Sequence, residues 1–112
     1  MGTRYVRQEE LGYTPTLDSL VVALCADYFR RQDAIEGARF SRRVDMEYRY
    51  LNYLIHEAAA EIAGEREALT FIEEIGQKIG YAASSIYLSE NAYKVRKQEV
   101  KTGIARKLHL LD

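Results

Sequence analysis

Apolar residues recur along this chain in steps of three and four, in four blocks bounded by glycine or serine. The first block opens at Thr14-Pro15. Threonine offers a side-chain oxygen for a helix N-cap, and proline, with no N–H to leave unpaired, suits the first helical position. Leu17, Val21, Leu24, Tyr28 and Ile35 then share a face, Arg31 interrupts it, and Gly37 ends it. In the second block Ser41 can cap, and Val44, Tyr48, Leu51, Ile55, Ala58 and Ile62 form a heptad seam that stops at Gly64. The third block runs from Glu65 to Ile79 with Ala68, Ile72, Ile75 and Ile79 as its stripe, acids in its first turn where the helix dipole favours them, and Gly80 as its end. Ser89 caps the fourth, where Tyr93, Val100, Ile104, Leu108 and Leu111 share a face. Between them, Tyr81 to Leu88 admits either a helical turn or an extended stretch packed on the core. No strand-like alternation, repeat or low-complexity tract is present.

These blocks predict an all-α fold of about four helices in one domain, residues 14–112, behind an N-terminal arm, residues 1–13. The first two helices, about 15–36 and 41–63, are joined by about four residues and should form an antiparallel hairpin spanning 14–64. Residues 65–112 should form a helix-turn-helix-like unit against it.

Composition narrows the picture. The chain has 112 residues, 47% hydrophobic and 29% charged, which suits one modest globular core. No apolar run approaches the roughly 20 residues of a membrane span. Met1-Gly2-Thr3-Arg4-Tyr5 has no apolar block behind it, so no secretory signal is expected. The lone Cys25 has no partner for an internal disulfide, which fits a reducing cytoplasm. The net charge of −1 gives no global attraction to nucleic acid, so any such binding needs a local patch.

Catalytic patterns do not assemble. Cys25, His56 and His109 lie in separate segments, and His56-Glu57 lacks the second histidine of a zinc-protease helix. Glu57 and Glu61 sit four apart, but the Glu-x-x-His partners of a di-iron bundle are missing, so a solvated face is expected. Cys25 reads as a small core residue. No phosphate loop or nucleophile elbow is found. The expectation is a protein without catalysis, cofactor or metal, and with no small-molecule substrate evident. Of nine tyrosines, Tyr48, Tyr50 and Tyr53 cluster on the second helix and cannot all face its seam. They are the candidate interface of a homodimer; the alternative is a half-buried core edge with hydroxyls in water. The nearby Arg39, Arg42, Arg43 and Arg49 are diluted by Asp45 and Glu47, and read as intrahelical pairs such as Arg43–Glu47 and Asp45–Arg49.

The charge changes sign at Ser89. From Glu65 to Ser89 the balance is −2; from Glu90 to Asp112 it is +3. A short helix, a turn and then a basic helix is the organisation of a helix-turn-helix that reads double-stranded DNA. Gly76 would sit where the second helix crosses the first, and Gly80 would supply a left-handed turn residue. A tight register starts the reading helix near Ala83; a looser one starts it at Ser89 and is preferred, because it places the positive charge on that helix. There Asn91, Lys94, Gln98 and Lys101 form a polar stripe able to address base edges, Ser89 and the first-turn N–H groups can hold a phosphate, and Arg96 and Lys97 flank them. Arg106, Lys107 and His109 are read as partners of the helix dipole.

The stretch Ile79-Gly80-Tyr81 … Leu88-Ser89-Glu90-Asn91-Ala92-Tyr93-Lys94-Val95-Arg96-Lys97 … Ile104-Ala105-Arg106-Lys107-Leu108 resembles the C-terminal helix-turn-helix of phage-encoded late-gene and autolysin transcription regulators, which are similar to sigma-factor region four. Tyr28-Phe29-Arg30-Arg31 … Ile35 and Met46-Glu47-Tyr48-Arg49-Tyr50-Leu51 resemble their first two helices. The resemblance implies a small DNA-binding transcriptional regulator on a prophage or mobile element. The long Tyr81–Leu88 connection and the acidic third helix depart from that pattern. The rival expectation is a non-catalytic helical module that binds a protein or itself. The two differ in whether Lys94, Arg96, Lys97 and Lys101 present a continuous positive face or one neutralised by the chain's own carboxylates.

Overall fold

The computed structural model describes residues 12–37 and 42–111, for 42–44 the backbone alone. Helix α1 (Pro15–Ala26) begins as its sequence dictates: Thr14 Oγ1 accepts the Leu17 N–H at 3.1 Å and Pro15 opens the helix. The stripe is interrupted at Asp27, and α2 (Tyr28–Glu36) follows. Arg31 accounts for the break. Its buried guanidinium donates to the Leu24 carbonyl at 2.8 Å, the oxygen that the Tyr28 N–H would take in an unbroken helix. It also reaches Asp27 at 3.1 Å and Asn52 Oδ1 at 2.7 Å, and buried Asn52 donates onward to the Tyr28 carbonyl. The charge that interrupts the apolar stripe therefore fastens α2 to α3 (Arg42–Ala63).

Helix α3 is the central element. Helices α4 (Glu65–Gly76) and α5 (Glu90–Lys107) both pack along it, α1 lies against α4, and α2 lies along α3. The core joins Val21 and Cys25 of α1, Ile55, Ala58 and Ala59 of α3, Phe71, Ile72 and Ile75 of α4, and Tyr93, Val100, Ile104 and Ala105 of α5. The molecule is an all-α helical bundle, and among the described residues there is no strand. The described residues form the four expected helices, with the first in two pieces. Tyr13 docks on the core and its hydroxyl donates to Asp18 at 2.9 Å. Residues 1–11 of the expected arm, the Ser41 cap, Arg39 and the side chains of Arg42 and Arg43 lie outside the described residues.

Three expectations about the C-terminal half need correction. Gly76 is a crossing point, but for α1, not for the basic helix: a Cβ there would lie 2.6 Å from the Ala26 nitrogen. The close approach of α3 and α5 falls at Gly103, where a Cβ would collide with the tip of the Ile62 side chain and touch the Ala58 carbonyl at 3.9 Å. Gly80 does not supply the left-handed residue; its φ is −87°. Helix α4 stops three residues before Ile79, and Lys78 takes the left-handed conformation at φ 56°. The Ile79 and Lys78 N–H groups then close on the Glu74 and Ile75 carbonyls at 2.9 and 3.2 Å, a Schellman end.

Beyond that Schellman end the connection, 79–89, holds no regular element except one 3-10 turn, Tyr81–Ala83. Glu74 shapes it. This carboxylate is 4% exposed and accepts from Ser84 Oγ at 2.6 Å, the Ser85 N–H at 3.0 Å, Ser85 Oγ at 3.1 Å and the Tyr93 hydroxyl at 2.9 Å. Burial alone would raise its pKa, but these donors outweigh burial and hold the carboxyl below its ordinary value. They tie α4, the connection and α5 together through one side chain.

Candidate nucleic-acid interface and the outer face of α3

Ser89 caps α5, its Oγ accepting the Ala92 N–H at 3.2 Å, so the basic segment is one helix from Glu90 onward. At 100° per residue Lys101 lies next to Val100 and Ile104, and both of these are buried. The stripe Asn91, Lys94, Gln98, Lys101 is consequently not a single exposed face. Asn91 and Lys94 stand in solvent, whereas Gln98 and Lys101 are half-buried. This corrects the expected geometry: the stripe spirals from solvent towards the α1 packing surface.

Each cation of the candidate set meets a group of the chain itself. Lys94 Nζ is 3.6 Å from Glu90. Arg96 is 3.5 Å from Glu99 and donates to the Ile62 carbonyl at 3.3 Å. Lys97 donates to the Ile79 carbonyl at 2.6 Å and lies 5.6 Å from the centre of the Tyr93 ring. Burial and the neighbouring Lys101 pull its ammonium below its usual pKa, against the opposing pull of Glu74 and Asp18. Lys101, with a side chain 16% exposed, pairs with Asp18 of α1 at 2.8 Å, and the Gln98 amide donates to Thr102 at 3.2 Å. Beyond the set, Lys107 pairs with Glu61 of α3. His109 stands left-handed, φ 60°, in a second Schellman end formed by the His109 and Leu110 N–H groups on Arg106 and Ala105. Two of the positive charges on α5, Lys101 and Lys107, are thus matched by carboxylates on α1 and α3, with Glu74 of α4 adding its field at Lys97. Its solvent strip of Asn91, Lys94, Val95, Glu99 and Arg106 mixes both signs around a Val95 that is 44% exposed.

The tyrosines divide as well. Tyr48 is half-buried, takes a hydrogen bond from Arg30 at 3.3 Å, and has that guanidinium 5.5 Å from its ring centre. Tyr50 and Tyr53 are 66% and 57% exposed. With Met46, 60% exposed, they form a stripe at spacings of four and three on the outer face of α3. Beside it opens a groove of about 550 Å³ between α2, α3 and α4, with Phe29, Tyr53 and Leu69 on its walls and His56 at its edge, 3.7 Å from Glu65. Met46, Phe29 and Leu69 were not candidates from sequence, because an apolar residue outside a stripe has no distinguishing pattern until its neighbours are known. The Asp45–Arg49 pair forms at 2.8 Å, as its spacing indicates.

No helix among the described residues is long and apolar enough to cross a membrane. No family model, curated protein or solved structure matches the chain, so its class is defined by its own architecture: a small all-α bundle built on a central helix.

Proposed function

We propose that this chain is a non-catalytic helical interaction module whose partner is a protein, bound on the outer face of α3 and its adjoining groove. The reading rests on a contrast between two surfaces. Five of the six cations of α5, all but Arg106, meet the chain's own carboxylates or carbonyls, while Met46, Tyr50 and Tyr53 stand exposed in one register. Aromatic residues and methionine are enriched where proteins meet, and a contiguous exposed apolar surface has a free-energy reason to be covered.

The second reading is the DNA-binding regulator that the resemblance implies, and one observation favours it. The first turn of α5 has exposed Asn91 and Lys94 beside a serine cap, and the Lys94–Glu90 pair is a surface contact worth about 0–1 kcal/mol, which a phosphate could displace. One experiment separates the two. A photo-crosslinking side chain is placed at position 50, 53, 91 or 94 of the full chain in its native host. Protein adducts at 50 and 53 with none at 91 and 94 support the module. Nucleic-acid adducts at 91 and 94, together with a gel shift on neighbouring genomic DNA that Lys94→Ala abolishes and salt weakens steeply, overturn it in favour of the regulator.

A further inference from the structure

We propose that segment 79–89 is a strap latched by Glu74, closed over the Tyr93 end of the core and able to open as a unit while the helical bundle stays folded. Among the described residues, every hydrogen bond between the strap and a helix goes to α4 or α5. The Glu74 carboxylate takes three of them, from Ser84 Oγ and from the N–H and Oγ of Ser85, and its bond from Tyr93 ties in α5. Ser84 Oγ also accepts the Ile86 N–H at 2.9 Å, so the same carboxylate places the buried Ile86. At the start of the strap, Lys97 holds the Ile79 carbonyl.

Apolar packing holds the strap only weakly. Ile86 is its one buried side chain; Tyr81 and Leu88 are half-buried, and Tyr87 is 100% exposed. A cavity of about 570 Å³ opens among its own residues, from Tyr81 to Ser89. Helices α4 and α5 do not depend on it. Each packs along α3 more than on the other, with Phe71, Ile72, Val100 and Ile104 fully buried. A segment with few buried apolar contacts, fastened through one side chain between two independently held helices, is the kind that opens locally. Opening bares Ile86 with Tyr81 and Leu88, an apolar surface that the closed form hides. Acid offers the trigger, because a protonated carboxyl gains a proton of its own and loses acceptor capacity towards the Ser84 and Ser85 donors. The titratable groups facing Glu74 are Tyr93 and Lys97 of α5, and both keep their protons in acid.

Native-state hydrogen exchange on the full chain, read amide by amide, tests this. The Ser85 and Ile86 amides should be protected, but by an opening with a weaker urea dependence than that of the Ile72 and Val100 amides, because less surface is exposed. Lys101→Ala removes a pair that persists when the strap is open. It should speed exchange of the core amides about five- to thirtyfold and leave Ser85 and Ile86 unchanged. Glu74→Gln destabilises the closed form against both the open and the unfolded chain, so it should speed both groups about tenfold or more. As pH falls below 4.5, the ordinary value for Glu74, Ser85 and Ile86 should lose protection after correction for intrinsic rates, and in Glu74→Gln they should lose none. Strap amides that follow the core amides in Lys101→Ala open only with the whole bundle and overturn the proposal. So do strap amides unprotected in the unaltered chain, or equally protected there on both sides of pH 4.5, a reading that stands whether or not the Glu74 variant folds.

Discussion

Lys78 shows how much one backbone conformation can cost and why it is tolerated. A non-glycine residue in the left-handed region meets its own Cβ, and the Schellman end requires that conformation here. Lys78 is exposed, so glycine should fit without disturbing a neighbour. Lys78→Gly should raise stability by about 0.5–1 kcal/mol, read as a higher urea midpoint with an unchanged slope. Sequence reasoning put the left-handed residue at Gly80, since glycine is the usual occupant, but the hydrogen bonds of the α4 end place it two residues earlier. Arg31 teaches the complementary lesson. A charge inside an apolar stripe looks like an interruption until Leu24, Asp27 and Asn52 are seen to surround it. Buried Cys25 follows the ordinary rule instead: the surrounding core pushes its thiol up to about 12, leaving it protonated.

At the scale of the element, α5 was legible in its start, its length and its apolar face, because Ser89 and the spacing from Tyr93 to Ile104 are local signals. Its polar face was not. A lysine at a given register reads the same whether solvent, a phosphate or Asp18 lies opposite, and only packing against α1 chooses. The consequence is measurable. Lys101→Ala removes the partner of Asp18 at a half-buried site and should cost about 1–2 kcal/mol in urea denaturation. Lys94→Ala touches a solvent-exposed pair and should stay within about 0.5 kcal/mol. Equal and negligible effects at both positions would return the whole stripe to the surface. The connection before α5 was equally open from sequence. Nothing local in Ala82-Ala83-Ser84-Ser85 selects helix or extended chain, and the selection falls to Glu74, ten residues upstream of Ser84.

The whole molecule is held by complementary charge between elements as well as by its core, and its response to pH should reveal this. Folding holds the Glu74 carboxyl below its ordinary value of 4.5, and Asp18 below 3.8, where hydrogen bonds from Lys101 and Tyr13 overcome the opposing effect of burial. A depressed pKa contributes stability that is complete above the unfolded value and lost as pH falls through the folded one. The urea midpoint should therefore hold steady down to about pH 5 and drop below it, with Glu74→Gln less stable at neutral pH and flatter in acid. At the alkaline end Tyr93, pushed up to about 12 by burial and by Glu74, stays protonated where the unfolded chain ionises, so stability should fall again as pH rises beyond 10. Four helices, the Thr14 and Ser89 caps, the buried Ile55 and Ala58 of the α3 seam and the lone core cysteine were determined by sequence alone, since each depends on residues within a turn or two of one another. The tertiary structure decided the rest: that Lys101 and Lys107 of the basic helix meet Asp18 of α1 and Glu61 of α3, that Gly76 faces α1, and that Tyr50 and Tyr53 stay outside while Tyr48 is taken up by Arg30. Those outcomes turn on which surfaces meet across the bundle, and spacing along one helix carries no record of what lies opposite.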